Sequence, residues 1–146
     1  MDLIKLLRSN ELFAGLNDTQ FETLAKIFQE KTFSQGERIF SQGDTGDRMY
    51  LIREGFVSVV AETAAGGDKP IVNLGAGQTV GEIALIDQGT RSATVTAINN
   101  GTVIAWVDRV AFERLCESDT AIGYRVMRNI ATDLSFKLRH QTLSQG

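Results

Sequence analysis

Between Thr32 and Asp108 the chain is cut by glycine into short apolar runs: Arg38-Ile39-Phe40, then Met49 to Ile52, then Phe56 to Ala61, with Gly36, Gly43, Gly46 and Gly55 between them. Runs this short and this closely punctuated read as strands joined by tight turns, and the four glycines are read as turn residues only. The rhythm continues through Ile71-Val72-Asn73-Leu74, a Gly75-Ala76-Gly77 turn, Ala93 to Ile98, an Asn99-Asn100-Gly101 turn and Thr102 to Val107. Many short strands must hide their edges by closure or by double layering, so a β-sandwich or barrel is predicted, with a jelly roll as the natural form. The segment Ala64-Ala65-Gly66-Gly67-Asp68 reads as a flexible hairpin tip.

Helical periodicity brackets this β region. Leu3, Ile4, Leu6 and Leu7 recur at helical spacing, and Phe21, Leu24, Ala25, Ile27 and Phe28 do so again after a break. Asn17 followed by Gln20 is the spacing of a capping box. After Asp108, a predicted helix cap, the helical pattern returns in Phe112, Leu115 and Cys116, then in Ile122, Val126, Ile130, Leu134 and Leu138 at steps of four. The expected organisation is one domain over 1–146: helices over 1–31, a β-roll over 32–108 and helices over 109–143. A chain of 146 residues has room for one such core and no second globular unit.

Composition removes several classes of function. The apolar runs fall well short of the ~20 residues of a membrane helix, and Met1-Asp2-Leu3 opens no signal segment, so the expected address is the cytoplasm. A net charge of −3 with no basic run argues against nucleic acid as a partner of this chain, because that binding depends on Lys and Arg neutralising phosphates. Cys116 is the single cysteine and reads as a small core residue rather than a reactive thiol. His140 is the single histidine, so a cupin-type metal site, built from several inward histidines, is excluded, and no metal or other cofactor is expected. Trp106 sits at alternating spacing in a strand and reads as core.

One stretch breaks the β rhythm. From Val80 to Val95 an apolar, helix-competent turn, Glu82-Ile83-Ala84-Leu85-Ile86, stands between two strands. Gly81 lets backbone approach a ligand, and the start of the turn offers unpaired N–H groups to an anion. Arg91 follows as the chain re-enters a strand, and its forked guanidinium suits a phosphate. A carboxylate here would repel that phosphate unless Glu82 accepts hydrogen bonds from a sugar hydroxyl while Arg91 and the amides offset both charges. Taken alone, Glu82 and Arg91 read equally well as a loop ion pair.

Gly81-Glu82-x-Ala84-Leu85-Ile86 followed by Arg91-Ser92-Ala93-Thr94-Val95 resembles the phosphate-binding cassette of the cyclic nucleotide-binding domain family. Gly36-Glu37, Ile39-Phe40, Gly43-Asp44-x-Gly46-Asp47-x-Met49-Tyr50, Gly55 and Leu74-Gly75-x-Gly77 resemble the hairpins that precede it, so the likeness covers nearly the whole chain. The resemblance implies a mainly β fold with flanking helices: an eight-stranded jelly-roll barrel with an N-terminal helical bundle and C-terminal B and C helices. It implies that Glu82 binds the ribose 2′-hydroxyl and Arg91 the exocyclic phosphate. Amides at Glu82, Ile83 and Ala84 would complete the phosphate cradle, with Gly81 giving access. Ser92 stands where cAMP receptors carry Ser or Ala, which favours cAMP over cGMP as the ligand. In the family the last helix serves as a lid, so Asn129, Asp133 and Lys137, with Val80 from the cassette, are the candidate contacts to the base.

Three readings follow. The first is a cyclic nucleotide sensor without enzymatic chemistry, switched by rearrangement of the C-terminal helix. The second is the sensor part of a larger transcription regulator, channel or kinase. The third is a ligand-free interaction domain with the same fold. The helix stripe would also serve a homodimer or an effector protein.

Overall fold

The computed structural model describes residues 2–145, with side chains as far as Gln141. The chain opens with α1 (Leu3–Ser9), a 3-10 turn (Glu11–Phe13) and α2 (Asp18–Ala25). Ten strands follow: β1 (Gln29–Phe33), β2 (Arg38–Phe40), β3 (Thr45–Gly46), β4 (Arg48–Glu54), β5 (Val57–Glu62), β6 (Asp68–Leu74), β7 (Thr79–Val80), β8 (Gly89–Thr90), β9 (Thr94–Ala97) and β10 (Thr102–Asp108). A second 3-10 turn (Glu82–Leu85) interrupts them, and α3 (Arg109–Ser118) and α4 (Thr120–Gln145) close the chain.

The strands form two four-stranded sheets, in the orders β1-β10-β4-β7 and β2-β9-β5-β6, and a two-stranded ribbon of β3 with β8. All pairings are antiparallel. Eight of the strands thus stand in two four-stranded sheets, as expected of a mainly β fold with flanking helices, and these pairings do not close them into a barrel. Tyr50, Ile52 and Ile104 from the first sheet meet Val57, Val59, Val95 and Ala97 from the second in one apolar core. On the opposite face of the first sheet, Met49, Leu51, Ala105 and Val107 pack with the helices in a second core. Alternate residues of β4 and β10 thus serve alternate cores, because successive strand side chains point to opposite faces. Burial on both faces accounts for the unbroken apolar run Met49 to Ile52.

Caps and turns follow the local chemistry. Asn17 Oδ1 accepts from the Gln20 N–H at 2.9 Å and Gln20 Oε1 from the Asn17 N–H at 2.8 Å, the reciprocal box that satisfies two orphan donors. Asp108 caps α3 through the Ala111 N–H at 2.9 Å. The β region begins earlier than expected, at Gln29 instead of Thr32. Gln29, Glu30 and Lys31 are exposed and carry no apolar alternation; pairing with Trp106, Ala105 and Ile104 of β10 makes them strand.

In α4, Ile122, Val126 and Ile130 are buried and Leu134 is partly so, all against the helical core. Leu138 is 64% exposed, so the apolar stripe ends one step earlier than its spacing implies. Asn129 Nδ2 donates to the carbonyls of Leu12 and Ala14, each at 2.9 Å, and fastens α4 to the N-terminal segment. No helix is long and apolar enough to cross a membrane among the described residues.

Candidate functional site

The segment between β7 and β9 is held at both ends by backbone. The β3–β8 ribbon pairs Thr45 with Thr90 and Gly46 with Gly89. The Arg91 N–H then donates to the Asp44 carbonyl at 2.7 Å, and the Gly43 N–H to the Arg91 carbonyl at 2.9 Å. Gly81, at φ +83°, turns the chain out of β7 into the 3-10 turn. Within that turn the Ala84 N–H donates to the Gly81 carbonyl at 3.0 Å, so one of the three amides assigned to the phosphate cradle is already bonded. Those of Glu82 and Ile83 open the turn, where N–H groups have no partner within it.

The Arg91 guanidinium lies 4.3 Å from the ring centre of Phe40 and 5.5 Å from that of Tyr50, and Nη2 donates to the Arg48 carbonyl at 2.7 Å. Its bed is made by absent side chains. A Cβ on Gly46 would stand 2.2 Å from Arg91 Nε, and one on Gly81 2.5 Å from Arg91 Nη1. Gly81, expected to admit a ligand, admits the arginine, and Gly46, read as a turn residue only, forms its other wall. Burial lowers the Arg91 pKa, with Tyr50, Asp47 and Asp44 acting in opposition. Among the described residues no carboxylate lies within ion-pair distance of Arg91, so its charge is available to an anion.

Glu82 and Arg91 both line a cleft of about 680 Å³, together with Val80, Gly81, Ile83, Ala84 and Ser92. Ile71, Val72 and Leu74 of β6 supply an apolar wall. Of the three residues expected from the last helix, Lys137 alone lines this cleft. Its Nζ stands 3.3 Å from Glu82 Oε1 and 2.9 Å from Asp133 Oδ2. These carboxylates raise the Lys137 pKa, Asp133 first. Asn129 and Asp133 line a neighbouring cavity of about 800 Å³. Glu82 and Arg91 therefore do not form the loop ion pair that they could have been: the carboxylate faces a lysine and the guanidinium lies on two rings.

The profile of the family described as cyclic nucleotide-binding domain matches residues 30–119, which include all of the cleft lining but Lys137. The chain belongs to the cyclic nucleotide-binding domain family. Within it, the cyclic AMP receptor protein of Thermus thermophilus is 32% identical over 99 residues, covering 68% of this chain and 46% of that protein. The type II regulatory subunit of cAMP-dependent protein kinase from Drosophila melanogaster is 39% identical over 111 residues, covering 76% of this chain and 29% of the subunit. The crystal structure of the N-terminal domain of a transcriptional regulator from Streptomyces coelicolor superposes with a TM-score of 0.86 at 28% identity, over 93% of this chain and 94% of that one. The chain spans less than half the length of either relative named by sequence.

Phe40, Tyr50 and Gly46, which hold Arg91, and the Lys137–Glu82 contact are not apparent from the sequence. Gly43-Asp44-x-Gly46 was a visible signal, since it repeats the glycine and acid density of a functional loop, but nothing local ties it to residue 91.

Proposed function

We propose that this domain is a receptor for a cyclic nucleotide, cAMP in preference to cGMP. The observation that carries the proposal is the Arg91 guanidinium, which has no ion-pair partner among the described residues, in the same cleft as the Glu82 carboxylate. The phosphate takes Arg91 and the first amides of the turn, where positive charge and unpaired N–H groups coincide. Glu82 accepts the 2′-hydroxyl, which explains an acid beside an anion site. The base lies toward the apolar wall, Val80, Ser92 and the last turns of α4. Ser92 supports cAMP on the resemblance already described.

The output is a change in α4: the ligand contacts that helix only in the bound arrangement, and only such a difference in affinity between states can shift it. The domain acts by binding, not by catalysis, in the cytoplasm, and α4 is the surface through which a second copy or an effector reads it. The share of each relative that the chain covers favours a second reading as well, a sensor working within a longer regulator, channel or kinase.

Calorimetric titration with cAMP and cGMP tests the reading, with Arg91→Ala as control. Micromolar or tighter binding of cAMP, abolished in the control, is expected. If neither nucleotide binds below millimolar concentration, the ligand-free interaction domain replaces the receptor.

A further inference from the structure

Glu82 and Lys137 each line both the cassette cleft and the neighbouring cavity, so their contact forms part of the partition between the two. The Glu82 side chain is only 20% exposed, whereas that of Lys137 is 58% exposed and reaches in from α4. Asp133, one turn earlier on the same helix, steadies the amine. A carboxylate oxygen that already holds an ammonium is a poorer acceptor for an arriving hydroxyl.

We propose that Lys137 is a specificity-setting residue that competes with the ligand's sugar hydroxyl for Glu82. The inference rests on the receptor reading above. In the ligand-free domain the contact tethers the last turns of α4 to the cassette. A ribose hydroxyl must displace that tether to gain Glu82, whereas a 2′-deoxy ligand has no need of Glu82 and leaves it in place. Discrimination between the two sugars is therefore weaker than Glu82 alone would impose, and only the ribose ligand releases the helix.

The test is titration of Lys137→Gln with cAMP and with 2′-deoxy-cAMP. The variant should bind cAMP about two- to fivefold more tightly, the range set by a partly exposed ion pair, with 2′-deoxy-cAMP unchanged. Asp133→Asn, which leaves the amine to Glu82 alone, should narrow the ratio between the two ligands. Hydrogen exchange of the ligand-free Lys137→Gln variant should accelerate at the amides after Leu134. Weaker or unchanged cAMP binding, equal gains for both ligands, or unaltered exchange would each overturn the proposal. Wild-type protein that binds neither nucleotide would remove the receptor reading and this inference together, an outcome distinct from intact binding with an unaltered ratio.

Discussion

Gly46→Ala is the sharpest probe of how the site is built, because it adds one methyl group where the backbone tolerates any residue: Gly46 is not among the glycines at positive φ. The new Cβ would stand 2.2 Å from Arg91 Nε and 2.3 Å from Cζ. Ordinary contact needs about 3.5 Å, so the guanidinium has to retreat by more than ~1 Å. Retreat is open only at the expense of what holds it, namely the stacking on Phe40 and Tyr50 and the 2.7 Å bond to the Arg48 carbonyl. A cation over a ring contributes about 0.5–1 kcal/mol at an exposed site, and a hydrogen bond to a charged group about 1.5–3 kcal/mol. Partial loss of both should lower stability by about 1–3 kcal/mol in urea denaturation. A phosphate-bearing ligand should bind at least about tenfold more weakly, since 1.4 kcal/mol is a factor of ten. Wild-type stability and wild-type cAMP affinity in Gly46→Ala would refute the claim that this glycine is the wall behind Arg91.

Gly81→Ala meets the same arginine at 2.5 Å but also puts a side chain on a residue at φ +83°, so it should cost about 1 kcal/mol or more beyond Gly46→Ala in the same denaturation assay. Arg91→Lys keeps the charge but loses the planar stack and the fork, and calorimetry should show cAMP binding weakened about tenfold or more. Asn129→Ala leaves the carbonyls of Leu12 and Ala14 without their shared donor; a loss of about 1–3 kcal/mol is expected, with faster hydrogen exchange in the N-terminal helices. The Cys116 thiol is pushed above its usual pKa by burial and by Glu113, so at pH 8 its alkylation should run slower than that of an unhindered model thiol.

What the sequence discloses is what neighbours in the chain decide. The Asn17–Gln20 box and the Asp108 cap each need only four consecutive residues, and each was legible. That Glu82, the apolar turn and Arg91 share one cleft was legible for the same reason: they come from one short stretch. The environment of that stretch was not. Gly46 and the rings of Phe40 and Tyr50 reach Arg91 through strand pairing, and Lys137 reaches Glu82 across 55 positions. Alternation tells which face of a strand is apolar but not which strand lies beside it, so the layered pair of sheets read equally as a closed barrel. The first residues of β1 carry no strand signal of their own, because backbone bonds to β10, not side chains, make them strand.

The clasp between Asn129 and the carbonyls of Leu12 and Ala14 joins positions 117 and 115 apart. During synthesis the first helices leave the ribosome long before their partner exists. At about 5–20 residues per second that interval lasts roughly 6 to 23 seconds. Throughout it Leu7, Leu12 and Phe13, which the finished domain buries, have no helix α4 to cover them. The cover of these side chains is therefore a contact of very long sequence separation, closed only by residues made more than a hundred positions later.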